Sequence, residues 1–428
     1  MRTLLLSTFL LALAALPARA DVIAREGQGF LEKRPDGRLV LHLKGTPYEM
    51  GYQQGKLVGD LAKKTMHKVV DGEGDFARSE HYLAYQALRP MMHGLLRPHI
   101  PARFIEEMKG LAAGSGVPYE KIEAGNLFPA AFHCSGIALS GKATKDGSLY
   151  HVRILDYMTQ LGLQDAALIV IHEPKDGHRW LNVGFAGFLG SVTGMNDQQV
   201  AIGEMGGGGL GYWDGVPMPF LIRDALERAD TMEQALEIFK QSKRTCEYYY
   251  VISDGKTRRA TGVWATHDTF ETVKPGQGFA FFEKLVPQKG AADFKSFASG
   301  VKVEAGPHRI LFRGEKGVRG FIAMPPADSL VISGYDRYQH FIDRLLPGYG
   351  KVDERALMEM VKRPVSMKSN LHVAIFHPET LEVWVAVAAP DGDPACNQPY
   401  ARYSLAAPAA PTGAATPAPA TEGAGANK

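Results

Sequence analysis

The feature that most constrains this chain is a change of texture at Cys134. Beyond it, short apolar runs alternate with turn residues. Residues 137–139 and 149–155 flank Lys145-Asp146-Gly147-Ser148, and runs at 167–172, 179–185, 190–193 and 199–204 are punctuated by Asp176-Gly177 and Asn196-Asp197. Asn, Asp and Gly supply the backbone geometry of tight hairpins, so this pattern predicts an antiparallel meander.

The segment before Cys134 reads differently. After a strand-like run at 39–44 and the breaker Gly45-Thr46-Pro47, Met50, Leu57, Leu61 and Met66 recur at helical spacing, and similar patterns cover 82–96, 101–113 and 119–127. Further on, helices are expected at 219–229, 231–242, 335–346 and 354–361. Strands are expected at 248–253, 258–263 and 269–273, and a last hairpin pairs 371–376 with 381–388. Residues 274–320, rich in Gly, Pro and Lys, are assigned no elements. Helices, strands, helices and strands again predict an α+β layered fold.

Both ends read as segments outside that fold. Arg2, the apolar stretch 4–16 and Pro17-Ala18-Arg19-Ala20 have the order of a secretory signal peptide, predicting a mature chain that starts at Asp21 and is exported, periplasmic or secreted. The apolar stretch is too short to span a bilayer, so no integral membrane contact is expected. Residues 406–428, rich in Ala, Pro, Thr and Gly, lack the large apolar side chains a core needs and are expected to be a disordered tail. Without Arg2 and Arg19, Lys and Arg number 46, equal to the 46 Asp and Glu, so no nucleic-acid partner is expected.

Two motifs dissolve on inspection. Gly206-Gly207-Gly208-Gly209-Leu210-Gly211 matches a dinucleotide fingerprint by letter, but Tyr212-Trp213-Asp214-Gly215 follows where a helix would be required. A loop rimming a pocket fits better. His172-Glu173-Pro174 with His178 lacks both the helix and the offset of a zinc site, and no metal or cofactor is expected. Among the three cysteines, Cys246 and Cys396 are the candidate disulfide of an exported protein, which leaves Cys134 as a free thiol.

Cys134 heads a strand, and the hairpin returns Tyr150-His151-Val152-Arg153-Ile154-Leu155-Asp156-Tyr157 toward it. Arg153 and Asp156 therefore come near the thiol. A guanidinium there favours the thiolate, and a carboxylate can hold an ammonium group.

The segment from Cys134-Ser135-Gly136 through Arg153 and Asp156 resembles the Cys N-terminal-nucleophile hydrolases. It is most like the peptidase C45 group related to acyl-CoA:6-aminopenicillanate acyltransferase. Gly45-Thr46-Pro47-Tyr48-Glu49-Met50-Gly51-Tyr52-Gln53-Gln54-Gly55, Gly194-Met195-Asn196-Asp197 and residues 371–388 are similar to other parts of that group. The resemblance implies a four-layer αββα sandwich and a proenzyme that cuts itself between His133 and Cys134. Residues 21–133 would become a helical α chain and 134–405 a catalytic β chain, the two remaining associated.

It further implies Cys134 as nucleophile, Asp156 positioning its freed amino group, and Arg153 stabilising the thiolate and contacting substrate. The expected activity is cleavage or transfer of an acyl group at a non-peptide amide bond of a small molecule, through a thioester. The alternatives are an ester or lipid hydrolase using the same nucleophile, and an exported solute-binding protein in which Cys134 is structural. The chain departs from the group's pattern in two places. Val152 and Ile154 flank Arg153 where Gly and Asn are usual, and Val331-Ile332-Ser333-Gly334-Tyr335-Asp336-Arg337 stands where relatives carry Thr-Asn-His. Asn196, or backbone N–H groups around residues 204–206, is then the candidate for the oxyanion hole, and Arg337 for a second substrate cation.

Overall fold

The strand-rich stretch after Cys134 divides between two sheets. The structure, a computed structural model, describes residues 20–72, 77–127, 134–208, 211–282, 300–315 and 317–406. The expected leader up to residue 19, His133 and the tail beyond Ala406 lie outside these residues.

The N-terminal segment opens with β1 (Asp21–Glu26), β2 (Gly29–Lys33) and β3 (Leu39–Gly45). The α-helices that follow are α1 (Pro47–Leu57), α2 (Gly59–Met66), α3 (Glu80–Leu96), α4 (Ala102–Ser115) and α5 (Tyr119–Asn126). Thr46 and Glu49 form a reciprocal capping box at the start of α1, and Pro47 takes a first-turn position that needs no backbone donor.

After Cys134 the expected hairpin forms from β4 (Ser135–Gly141) and β5 (Gly147–Asp156). The meander continues as β6 (Ala167–Pro174), β7 (Trp180–Phe185), β8 (Thr193–Asn196) and β9 (Val200–Gly206). The strand expected at 190–193 starts later, because Ser191 Oγ accepts the Thr193 N–H in a local turn. Helices α6 (Met218–Arg228) and α7 (Met232–Gln241) precede β10 (Glu247–Asp254), β11 (Arg259–Thr266) and β12 (Phe270–Val273).

The unassigned stretch 274–320 holds β13 (Phe279–Phe282), β14 (Lys302–Gly306), β15 (Arg309–Gly314) and most of β16 (Gly317–Ala323). The chain ends through β17 (Ser329–Ile332), α8 (Tyr335–Gly348), α9 (Glu354–Met360), β18 (Asn370–His377), β19 (Glu382–Val387) and β20 (Ala401–Ser404).

Ten strands make one sheet in the order β1-β2-β3-β6-β7-β8-β9-β10-β11-β12, antiparallel except where β3 meets β6. Six make a second, β17-β4-β5-β18-β19-β20, and four a third, β13-β16-β15-β14. Alternation along the strands stacks the first two. Ile169 and Ile171 of β6 share a core with Phe376, Val383 and Val385 of the six-stranded sheet, while Leu168 and Val170 lie with Met50 and Val58 of the helical segment. On the same outer side, Trp180, Ile202 and Ile252 cluster with Leu221 and Ile222 of α6 and Phe239 of α7. Beyond the six-stranded sheet, Val152 and Ile154 cluster with Phe341 and Leu345 of α8 and Leu357 of α9. The layers are helix, sheet, sheet, helix: the four-layer αββα arrangement of the α+β class. Among the described residues no helix is long and apolar enough to cross a membrane.

Candidate active site

Register places the nucleophile candidate. Ser135 of β4 lies opposite Ile154 of β5, and Gly136 opposite Arg153, so Cys134, one residue before β4, sits beside the end of β5. There the backbone N–H of Asp156 hydrogen-bonds to its thiol. Gly136 makes this close packing possible. A Cβ on it would come within 2.6 Å of the Met205 sulfur and 2.7 Å of Val251, so only a bare backbone lets the ten-stranded sheet close over this strand.

Arg153 and Asp156 are both brought to Cys134, as expected, and both are buried. Arg153 reaches across the seam between the sheets to Glu204 of β9, Nη2 to Oε2 3.3 Å, with neither side chain exposed. Gly203 leaves it the room, since a Cβ there would lie 3.2 Å from the Arg153 side chain. Asp156 accepts from Arg337 Nη1 at 2.7 Å and from the Met367 N–H at 3.0 Å. The other Arg337 amino group donates to Ser135 Oγ, which shares a 2.6 Å hydrogen bond with Ser333 Oγ. Arg337 therefore belongs to the site, tied to Asp156.

The electrostatics differ from the simple expectation that Arg153 favours the thiolate. Burial pushes the Cys134 thiol up to about 11; Arg153 pulls against this, but the Glu204 and Asp156 carboxylates push the same way as burial. Arg153 is the largest pull toward the thiolate, and burial outweighs it. Burial also raises Glu204, to about 8 even with Arg153 beside it, and raises Asp156 against the opposing pull of Arg337.

A cavity of about 430 Å³ opens at Cys134. Met205, Gly206, Tyr249, Tyr335, Arg337 and Met367 are among its walls, with the uncapped start of α8 at Gly334. Gly206 at this rim agrees with reading the glycine-rich stretch as the edge of a pocket.

Two expectations are corrected. Asn196 is not placed at the oxyanion hole. It ends β8, beside the start of β9 and a strand's length, about 20 Å at strand rise, from Gly206. Its amide is also fully used: Nδ2 donates to the carbonyls of Leu226 and Ala229 at the end of α6, and Oδ1 accepts from the Gln198 and Val200 N–H groups. Cys246 and Cys396 do not pair. Both are free and buried, Cys246 beside Tyr248 and Trp213 at the start of β10, and Cys396 against Asn370 and Ser366 by the six-stranded sheet. Cys246 lies just before a strand of the ten-stranded sheet and Cys396 in a short turn beside the six-stranded one.

Sequence reasoning missed the Glu204 carboxylate, although a lone acid inside the apolar run Val200-Ala201-Ile202-Gly203-Glu204-Met205 is a readable signal. It also missed the pair Ser135 and Ser333, for which no local signal exists.

The family described as acyl-coenzyme A:6-aminopenicillanic acid acyl-transferase matches residues 143–278. An uncharacterized protein of Archaeoglobus fulgidus is 27% identical over 289 residues, covering 56% of this chain and 45% of that protein. Protein dcd1B of Dictyostelium discoideum is 26% identical over 288 residues, 60% of this chain and 57% of that one. Acid ceramidase of Balaenoptera acutorostrata scammoni is 28% identical over 199 residues, 40% and 49% of the two chains. The chain thus spans about half the length of these curated relatives. Among solved structures, the Caenorhabditis elegans N-acylethanolamine-hydrolyzing acid amidase ortholog aligns with a TM-score of 0.40 at 16% identity, over 64% of this chain and all of that one. Over residues 143–278 the chain is similar to the acyl-coenzyme A:6-aminopenicillanic acid acyl-transferase family, the group whose resemblance was read from the sequence.

Proposed function

We propose that this protein is an exported, self-processing cysteine amidohydrolase or acyltransferase. The observation that carries the reading is the placement of Cys134: it heads β4 at a cavity, its thiol meets the Asp156 backbone N–H, and the buried charges of Arg153 and Asp156 lie beside it. Export rests on the leader-like residues 1–20.

With the chain uncut, a thiol near 11 keeps its proton and is a poor nucleophile. In the self-cleavage the Cys134 thiol slowly attacks the carbonyl carbon of His133 and the resulting thioester is hydrolysed by one water, which breaks the His133–Cys134 bond and supplies the missing base. The new α-amino group, with a usual pKa of about 7.7–8.0, takes the thiol proton as sulfur attacks an amide carbonyl carbon. Asp156 orients that ammonium in this reading, and the ammonium returns its proton to the departing amine. The acyl group left on Cys134 as a thioester then passes to water or to another amine. Backbone N–H groups at Gly206 and at the first turn of α8 border the cavity and are the candidates for the oxyanion.

The substrate class is an N-acyl amide with an apolar acyl group. The largely apolar cavity supports this, and acid ceramidase stands among the relatives.

The test is intact mass under denaturing conditions, with amide hydrolysis followed alongside. The wild-type protein should give two chains, the larger starting at Cys134, and Cys134→Ala should give one uncut, inactive chain. Maturation of Cys134→Ala would refute the mechanism, and an intact, inactive wild-type protein would favour a solute-binding role instead.

A further inference from the structure

The four-stranded sheet β13-β16-β15-β14 stands apart from the two sheets of the sandwich, yet it meets the Cys134 cavity at both aromatic walls. Tyr249 stands edge-on to Phe279 of β13, ring centroids 6.1 Å apart at 89°, while its hydroxyl donates to Glu247 at 2.9 Å. Tyr335 meets Phe321 of β16 at 5.3 Å and 65°, and the guanidinium of Arg309 of β15 lies 5.8 Å from its ring centre. Arg309 is held in turn by Gln339 of α8. Phe321 is buried and also packs on Tyr338, whose hydroxyl binds both the His308 carbonyl and the Met324 N–H. The sheet is thus bonded to α8 from several points, and each tyrosine at the cavity has a residue of the sheet behind it.

We propose that this sheet is the specificity wall of the site: Phe279, Phe321 and Arg309 fix Tyr249 and Tyr335, and the fixed rings determine how large an apolar acyl group can reach Cys134. Perpendicular and tilted ring contacts of this kind have preferred geometries and resist displacement. Met205 and Met367, the unbranched side chains of the same cavity, adapt to what enters. Tyr249 and Tyr335 therefore bound a space of about 430 Å³, within the ordinary range of about 300–1,000 Å³ for a small-molecule pocket. The wall selects a compact or medium-length acyl group over a long one. Phe279 and Phe321 act through the tyrosines and are positioning residues.

The inference rests on the proposed acyl chemistry, so its test has two arms. In the first, the mature enzyme is given one amine acylated with groups from acetyl to palmitoyl, and kcat and KM are measured for each. Tyr335→Ala and Phe321→Leu should both move the ratio of kcat/KM for long over short acyl groups upward by about tenfold, chiefly in KM, and Tyr335→Phe should keep the wild-type profile. An unchanged profile, or an equal loss for every acyl group, overturns the proposal. In the second arm, N-alkylmaleimides of growing chain length label Cys134, read by peptide mass. Tyr335→Ala should raise the rate for long reagents relative to N-ethylmaleimide, and equal ratios in the two proteins overturn the wall by themselves. Absence of hydrolysis with any amide would count against the acyl chemistry, and the labelling arm would still decide the wall.

Discussion

Replacing Glu107 with alanine should destabilise the protein by about 3–5 kcal/mol, because it strips a buried guanidinium of its main counter-charge. Arg223 of α6 is 1% exposed and stacks between Phe104 and Trp180. Its Nη1 and Nη2 both bond to the Glu107 carboxylate of α4, at 3.0 and 2.5 Å, while Nε goes to Glu227 at 2.7 Å and Nη1 also to the Leu189 carbonyl at 2.8 Å. Alanine removes both bonds to Glu107 and leaves a charge that water cannot reach. For a chain of this length the unfolding entropy is about 0.9 kcal/mol/K, so the loss corresponds to a Tm drop of about 3–6 °C.

The assay is thermal unfolding by circular dichroism in the Cys134→Ala background, where a single chain is expected and the scan rate is kept constant. Adding Arg223→Met should recover most of the loss, since the orphaned charge is gone and Glu227 keeps its bond to Arg103. A shift under about 1 °C, or a double variant as unstable as the two single losses combined, would refute the reasoning. Glu107 precedes Cys134 and Arg223 follows it, so in a processed protein this pair would join the two chains.

Two further outcomes follow from burial. Glu204 is raised from its ordinary value to about 8, so the folded state holds a proton that the unfolded state has released. That contribution is complete below about pH 4.5 and is lost as pH rises through 8. Wild-type protein should therefore lose Tm between pH 5 and 8.5, on the order of those two values, relative to Glu204→Gln, and parallel Tm curves would refute the assignment. Cys134, Cys246 and Cys396 are all free, so denaturing alkylation without reductant should add three labels, and a count of one would restore the disulfide.

Much of the hairpin at the site was readable in the sequence because its causes are local. Lys145-Asp146-Gly147-Ser148 carries its own turn chemistry, with Gly147 at φ 78° and Asp146 Oδ1 accepting the Ser148 N–H, and the turn brings β5 back along β4 toward Cys134. From that pairing alone Arg153 and Asp156 follow as neighbours of the thiol. Helices α6, α7 and α8 were readable for the same reason, each showing its buried stripe within a few turns. The sheet β13–β16 was not, because its strands are short and polar residues such as Lys302, Glu304 and Arg313 occupy positions facing solvent, so no apolar period emerges.

Local chemistry thus accounts for most of the elements, for the hairpin that pairs Cys134 with Arg153 and Asp156, and for the family resemblance built on those residues. The stacking of the layers is what bonds Arg153 to Glu204, holds Asp156 against Arg337 from 181 residues away, and sets Asn196 at the end of α6. It also decided that the buried thiol rests near 11. Turn and helix preferences are set within a few residues of chain. Ion pairing and desolvation depend on which sheets stack and what water they exclude, and that is known only once the layers have closed.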